Sequence, residues 1–166
     1  MIRVASIKQN SKLLNCVGKL EIIKLTPEHL PVVFEIQHAG LSSPWTFENL
    51  QSTLENIHSF SFGLFLDDKL ISFCLTTLVL DEVNILNFVT RLEYRRQGYA
   101  NCLLQKVIAL AEQQKIVSFF LEVRQSNFSA VRLYEEFGFV KLTERKDYYQ
   151  NPTENALVMA LNVKKQ

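Results

Sequence analysis

The chain has 166 residues, 48% hydrophobic and 21% charged, enough to bury one core without disulfides or a structural metal. A formal net charge of +1 gives no electrostatic basis for bulk binding to nucleic acid or an acidic membrane. No CxxC pair joins Cys16, Cys74 and Cys102, and no apolar run reaches the roughly 18 residues of a membrane span, so a reducing, cytoplasmic setting is expected.

Residues 1–18 read as an N-terminal extension, flexible or packed as a short helix, with too short an apolar stretch for a signal peptide. One domain follows over residues 19–166. KLEIIKL (19–25) predicts a strand. TPEHLPVVFEIQHA predicts a helix, with Thr26 as N-cap and Pro27 at its first position. The chain breaks at Pro44 and restarts at Thr46 as a second short helix beside Trp45. FSFGLFL, the turn DDK and ISFCLTTLVL have the form of a hairpin. EVNILNFVT predicts a further strand, mixed in pattern as if buried on both faces. A helix with Leu103, Leu104, Val107, Ile108 and Ala111 on one face comes next, then the strand IVSFFLEV (116–123). Asn127 opens another helix, which Gly138 ends. FVKLTERKDYY and ALVMALNV supply two closing strands joined by QNPTEN. The order β-α-α-β-β-β-α-β-α-β-β is that of an α/β chain with a mixed, mostly antiparallel sheet and helices on its faces.

The stretch Arg95-Arg96-Gln97-Gly98-Tyr99-Ala100 lies between a strand and a helix start. A turn there leaves backbone N–H groups pointing outward where the helix dipole favours negative charge. The small residues Gly98 and Ala100 admit a phosphate close to the main chain, and arginines add charge-assisted bonds. Two readings stand side by side: a pyrophosphate cradle, or a basic surface loop that caps a helix. No GK[ST] follows and GxGxxG is absent, which disfavours a Walker ATPase or a dinucleotide-binding dehydrogenase. His29, His38 and His58 lack metal-ligand spacing, and Cys102 reads as a small buried residue rather than a nucleophile.

The form R-x-x-G-x-A resembles the acetyl-CoA pyrophosphate loop of the GNAT superfamily of N-acetyltransferases. LEVRQSNFSAVRLYEEFGFVKLTERKDYY is similar to the bacterial ribosomal protein alanine N-acetyltransferase family. SPWTFENL, LDEVNILNFV and ALVMAL extend that similarity over residues 20–162. The resemblance implies a GNAT fold: a mixed sheet of about seven strands, splayed between the fourth and fifth, with about four helices. It implies acetyl-CoA as co-substrate, no metal, and an acceptor that is the N-terminal Ala of a small-subunit ribosomal protein followed by basic residues. Arg95, Arg96, Gln97, Gly98, Tyr99, Ala100 and Asn101 fall on the pyrophosphate loop. Phe88, Val89 and Thr90 fall on the strand that pairs with the pantetheine arm, and Asn127 on a CoA contact past the splay. Glu122 falls on the general base and Tyr134 on the general acid. Trp45, Tyr148 and Tyr149 fall on the walls of the acceptor groove, where Glu48 and Asp81 or Glu82 would read basic residues.

The chemistry suits these types. A peptide α-amine, with a reference pKa near about 7.7–8.0, gives its proton to a carboxylate, and a tyrosine protonates the departing thiolate. A backbone N–H of the splayed strand, that of Val89, is expected to support the carbonyl oxygen during direct attack in a ternary complex. Read without the resemblance, Glu122 pairs with Arg124 two positions on, Tyr134 packs in the core and Asn127 only caps a helix. Asn101 stands where the family often has a basic residue, Thr90-Arg91-Leu92 replaces V-x-P, and QNPTEN is a shortened hairpin. These departures leave open a small amine or lysine acceptor, or an inactive acyl-CoA-binding module.

Overall fold

The computed structural model describes Arg3–Val4 and residues 18–163. The expectation for residues 1–18 otherwise lies outside the described residues. Seven strands form as expected: β1 (Leu20–Lys24), β2 (Phe62–Leu66), β3 (Lys69–Val79), β4 (Glu82–Thr90), β5 (Ser118–Arg124), β6 (Val140–Tyr149) and β7 (Glu154–Asn162). Arg3–Val4 adds a two-residue eighth strand against β1. The helices are α1 (Leu30–Gly40), α2 (Phe47–Glu55), α3 (Tyr99–Gln113) and α4 (Phe128–Glu136). Thr26 and Pro27 open a 3-10 turn, Pro27–His29, ahead of α1 rather than the α-helix itself.

After that first strand the sheet runs β1-β2-β3-β4-β5-β7-β6. Every pair is antiparallel except β4 with β5. A parallel pair needs a long crossover, and α3 supplies it. Leu103, Leu104 and Val107 of α3, spaced three and four apart, are fully buried against Phe119 and Ile71 on one face of the sheet. Val33 and Ile36 of α1 and Leu50 of α2 cover Phe73 and Leu75 on the other. Two separate cores thus sandwich the sheet, and α4 joins the first through Tyr134.

The mixed pattern of β4 has a different cause from burial on both faces. Leu75 opposes Asn87 but Thr76 opposes Ile85, so Leu86 is an extra residue, a β-bulge. Val83 and Ile85 enter the α3 core, whereas Val89, of the same parity, enters the α1 core and Phe88 turns to the α3 side. One inserted residue exchanges the faces for the rest of the strand.

The strand parts from its parallel neighbour at the same point. Pairing with β5 runs from Glu82↔Ser118 to Ile85↔Leu121 and then stops. Residues 86–90 hold to β3 alone, and β5 continues against β7 up to Arg124↔Ala156. This is the expected splay between the fourth and fifth strands.

Candidate active site

Two clefts border the parting strands. The first, about 610 Å³, lies among the ends of α1 and β4 and the starts of α3 and α4. Phe88, Val89, Thr90, Arg95, Arg96, Gly98, Tyr99, Ala100, Asn101, Asn127 and Tyr134 all line it. Gln97 does not; its side-chain amide donates to the Glu93 carbonyl at 2.9 Å. The second, about 730 Å³, is lined by Trp45, Glu82, Glu122, Arg145, Tyr148 and Tyr149 among others. Of the acidic residues proposed to read a basic acceptor, Glu82 lines this cleft and Glu48 and Asp81 do not.

The floor of the first cleft follows from ladder geometry. Arg91 N–H donates to the Ile71 carbonyl at 2.9 Å, which fixes the alternation along the antiparallel β3–β4 pair. Val89 opposite Phe73 therefore bonds into β3, while the N–H and C=O of Phe88 and Thr90 turn toward the gap. The expected role for the Val89 N–H is corrected by this register: the donors aimed into the gap are those of Phe88 and Thr90. The Val89 carbonyl takes a bond from Ser72 Oγ at 3.0 Å, holding the strand to β3.

At the end of the strand the loop does two separate jobs. Arg95 Nε donates to the Thr90 carbonyl at 3.1 Å and its Nη2 to the Gly40 carbonyl at 2.9 Å, closing the C-terminal end of α1 onto β4. Its guanidinium lines the cleft while engaged with main chain. A Cβ on Gly40 would stand 2.9 Å from that Nη2 and 3.2 Å from Val89 Cγ1, so a larger residue there would push the guanidinium off its carbonyl. Arg96 (φ 58°) and Gly98 (φ 85°) both take left-handed backbone, and α3 starts on Gly98 with no side-chain cap. The first turn of a helix leaves N–H groups unmet within the helix, and here the macrodipole adds partial positive charge. An extended strand edge leading to such a helix start fits an acyl-pantetheine arm ending in a pyrophosphate.

Asn127 serves as cap and as wall at once: Oδ1 accepts from the Ala130 N–H at 3.3 Å while the residue lines the first cleft. Tyr134, on the same helix, is 6% exposed. Burial, with Cys74 and Tyr149 adding to it, pushes its phenol well above the ordinary tyrosine range, so it stays protonated.

Glu122 alternates with Leu121 and Val123, which enter the α3 core, and so opens to the second cleft. It is not paired with Arg124. That arginine bonds Glu154 at 3.2 Å, the Gln150 and Pro152 carbonyls and Ser43 Oγ, and lies 4.3 Å from the Tyr149 ring centre. Glu122 bonds instead to Arg145 of β6. A hydrogen bond to Glu122 raises Tyr148, and burial with the Glu122 charge pushes Tyr149 up to about 12. Trp45 is set over this cleft by Gln37, whose side chain is wholly buried and bonds both main-chain groups of Trp45.

Gln37, Arg145, Gly40, Leu41 and Tyr94 escaped the sequence reading. Ser129, Ala130 and Leu133 also line the first cleft; Ala130, three residues after Asn127 and four before Tyr134, shares their helix face and was the signal available. Among the described residues no helix is long and apolar enough to cross a membrane, and no group of three His, Cys, Asp or Glu side chains is placed for a metal ion.

The profile of the Acetyltransferase (GNAT) family matches residues 30–139. The chain is 33% identical over 144 residues to the ribosomal protein bS18-alanine N-acetyltransferase of Escherichia coli K12, spanning 86% of this chain and 97% of that one. The protein of the same name from Haemophilus ducreyi is 35% identical over 132 residues, 78% of this chain and 90% of its own. The crystal structure of the Escherichia coli ribosomal-protein-S18-alanine N-acetyltransferase aligns with a TM-score of 0.84 at 32% identity, covering 87% of this chain and 94% of that one.

Proposed function

This chain belongs to the acetyltransferase (GNAT) family, and from that premise we propose that its acceptor is the α-amine of an N-terminal alanine on a small-subunit ribosomal protein. The donor is acetyl-CoA, as in the family. The match along 97% of the Escherichia coli bS18-alanine enzyme is the observation that carries the acceptor. A ribosomal acceptor places the reaction in the cytoplasm.

Each cleft takes one substrate. Phe88 and Thr90 hold the acyl arm through the main chain, and Arg96, Gly98, Tyr99, Ala100 and Asn101 receive its pyrophosphate. Arg95 keeps that strand end in place, and Asn127 borders the arm from α4. Trp45, Tyr148 and Tyr149 flank the acceptor, with Glu82 to attract basic residues after the alanine.

Glu122 is the general base: it takes a proton from the acceptor ammonium, directly or through one water. The freed nitrogen bonds to the acetyl carbon and gives up its second proton to water as the carbon–sulfur bond breaks, and the electron pair leaves with sulfur; Glu122 returns its proton to solvent. Tyr134 gives its proton to that thiolate and is reprotonated from solvent. The Phe88 N–H, turned into the gap, steadies the carbonyl oxygen as it gains charge. No group on the enzyme is acetylated on the way.

Mass spectrometry of the enzyme with acetyl-CoA and a peptide bearing N-terminal Ala tests the reading, set against an α-blocked lysine peptide and small amines. Acetylation of the Ala peptide at its α-nitrogen is expected. Acetylation confined to the other acceptors would overturn it.

A further inference from the structure

The base in the second cleft already holds a cation. Glu122 Oε1 bonds to Nη1 of Arg145, and the guanidinium lies 4.4 Å from the centre of the Tyr148 ring. Arg124, the other arginine near this cleft, is fully engaged with Glu154, two carbonyls and Ser43. Arg145 is not locked in that way: its side chain is 53% exposed. It also stands at the edge of an irregular stretch. The β6–β7 register shifts once between Lys141 and Thr143, runs in step from Thr143↔Val158 to Arg145↔Ala156 and resumes only at Tyr149↔Glu154, so two extra residues bulge out before Tyr149. Asp147 in that bulge takes left-handed backbone, φ 51°.

An acceptor amine approaches Glu122 as an ammonium, so the site must exchange one cation for another. Two cations at one carboxylate repel, and the mobile one gives way. We propose that Arg145 is a specificity-determining residue: displaced from Glu122 but still stacked on Tyr148, it donates to the carbonyl oxygen next to the acceptor's amine. Guanidinium presents several donors in a planar fork, suited to a carbonyl once the carboxylate is lost. An α-aminoacyl group brings that carbonyl with it. A plain alkylamine or a lysine side chain displaces Arg145 and offers nothing in return. A site built around a hydrogen bond discriminates against the analogue that lacks its partner. Because water reaches a half-exposed Arg145, the discrimination is moderate, about tenfold, rather than that of a dry site.

This inference rests on an α-amine acceptor, and its test separates the two. Alaninamide and isopropylamine differ by the carboxamide that bears the carbonyl. Each is measured as a competing acceptor against an Ala-terminated peptide, giving an apparent affinity for both in wild type and in Arg145→Gln. In wild type, alaninamide should compete about tenfold better; in R145Q the preference should shrink to within about twofold, with CoA affinity unchanged. Arg145→Lys keeps the charge without the fork and should recover only part of it. An unchanged preference in R145Q, or an equal loss for both amines, would overturn the role of Arg145. Failure of wild type to acetylate the Ala peptide would instead overturn the acceptor reading.

Discussion

Gln37 and Trp45 are joined by a two-way hydrogen bond: Gln37 Nε2 donates to the Trp45 carbonyl at 2.6 Å, and Oε1 accepts from the Trp45 N–H at 3.0 Å. The same Oε1 lies 3.4 Å from Asn87 Nδ2, the residue after the bulge in β4. One wholly buried side chain thus ties the α1–α2 connection to the strand that parts from β5. Replacing Gln37 with Leu keeps the volume and leaves two half-buried main-chain groups of Trp45 without their side-chain partner, at a cost of about 1 kcal/mol. The connection should swing away instead of remaining seated. The expected outcome is a rise in KM for the peptide acceptor of tenfold or more, with CoA affinity within about twofold. Steady-state kinetics with calorimetric CoA binding would check it, and a matching loss in both would show Gln37 to be a general packing residue.

Glu122→Gln keeps shape and removes the proton acceptor. General-base catalysis contributes about 10²–10⁴-fold, so turnover should fall by at least about a hundredfold at neutral pH. Loss of the half-exposed pair with Arg145 should cost stability little, about 0–1 kcal/mol. Without the base, only acceptor that is already neutral can react, and the residual rate should climb with pH through about 8, the range of the amine itself. A flat residual rate from pH 6 to 9 would assign proton removal to another group.

The order of the elements and the loop that opens α3 were readable because local signals fix them, whereas Phe88, Thr90 and Tyr134 were placed by the family resemblance. Apolar spacing makes α3, Gly98 supplies the left-handed start, and Asn127 caps α4 by a bond to its own helix. The bulge at Leu86 left no trace, because Val83, Ile85, Asn87 and Val89 alternate in burial as an unbroken strand would. Only the two cores they enter reveal the exchange of faces. Nor does spacing say which arginine meets Glu122. Arg124 is nearer in sequence, yet Glu154 across the strand pair claims it and leaves Glu122 to Arg145. Such choices are made between strands far apart in the chain, where periodicity carries no information.

The two arginines at the loop should separate cleanly. Arg96 lines the first cleft, whereas the guanidinium of its neighbour Arg95 bridges Gly40 and Thr90. Arg96→Ala should weaken CoA binding several-fold, with the difference shrinking as salt rises from 50 to 500 mM. Arg95→Ala removes charge-assisted bonds at an exposed joint and should lower stability by about 1 kcal/mol, visible as a reduced Tm without ligand. A salt-dependent loss of CoA affinity in R95A equal to that in R96A would put both guanidinium groups on the pyrophosphate.

The buried phenol of Tyr134 also shapes stability at alkaline pH. An unfolded tyrosine ionises near about pH 10, whereas burial holds this one protonated well above that. Below about pH 10 both states carry the proton, and the favourable contribution of the buried neutral phenol is fully present. Between that value and the raised folded value the unfolded chain binds fewer protons, so unfolding free energy falls by about 1.4 kcal/mol per pH unit from this group alone. Tyr134→Phe removes the titration. In urea unfolding between pH 10 and 11.5, Y134F should lose stability less steeply than wild type by about that amount, while at pH 7.5 its turnover falls about tenfold or more and CoA affinity holds. Equal slopes would mean that the phenol ionises as freely in the fold as outside it, and a donor kept protonated by burial would then be the wrong description of the acid.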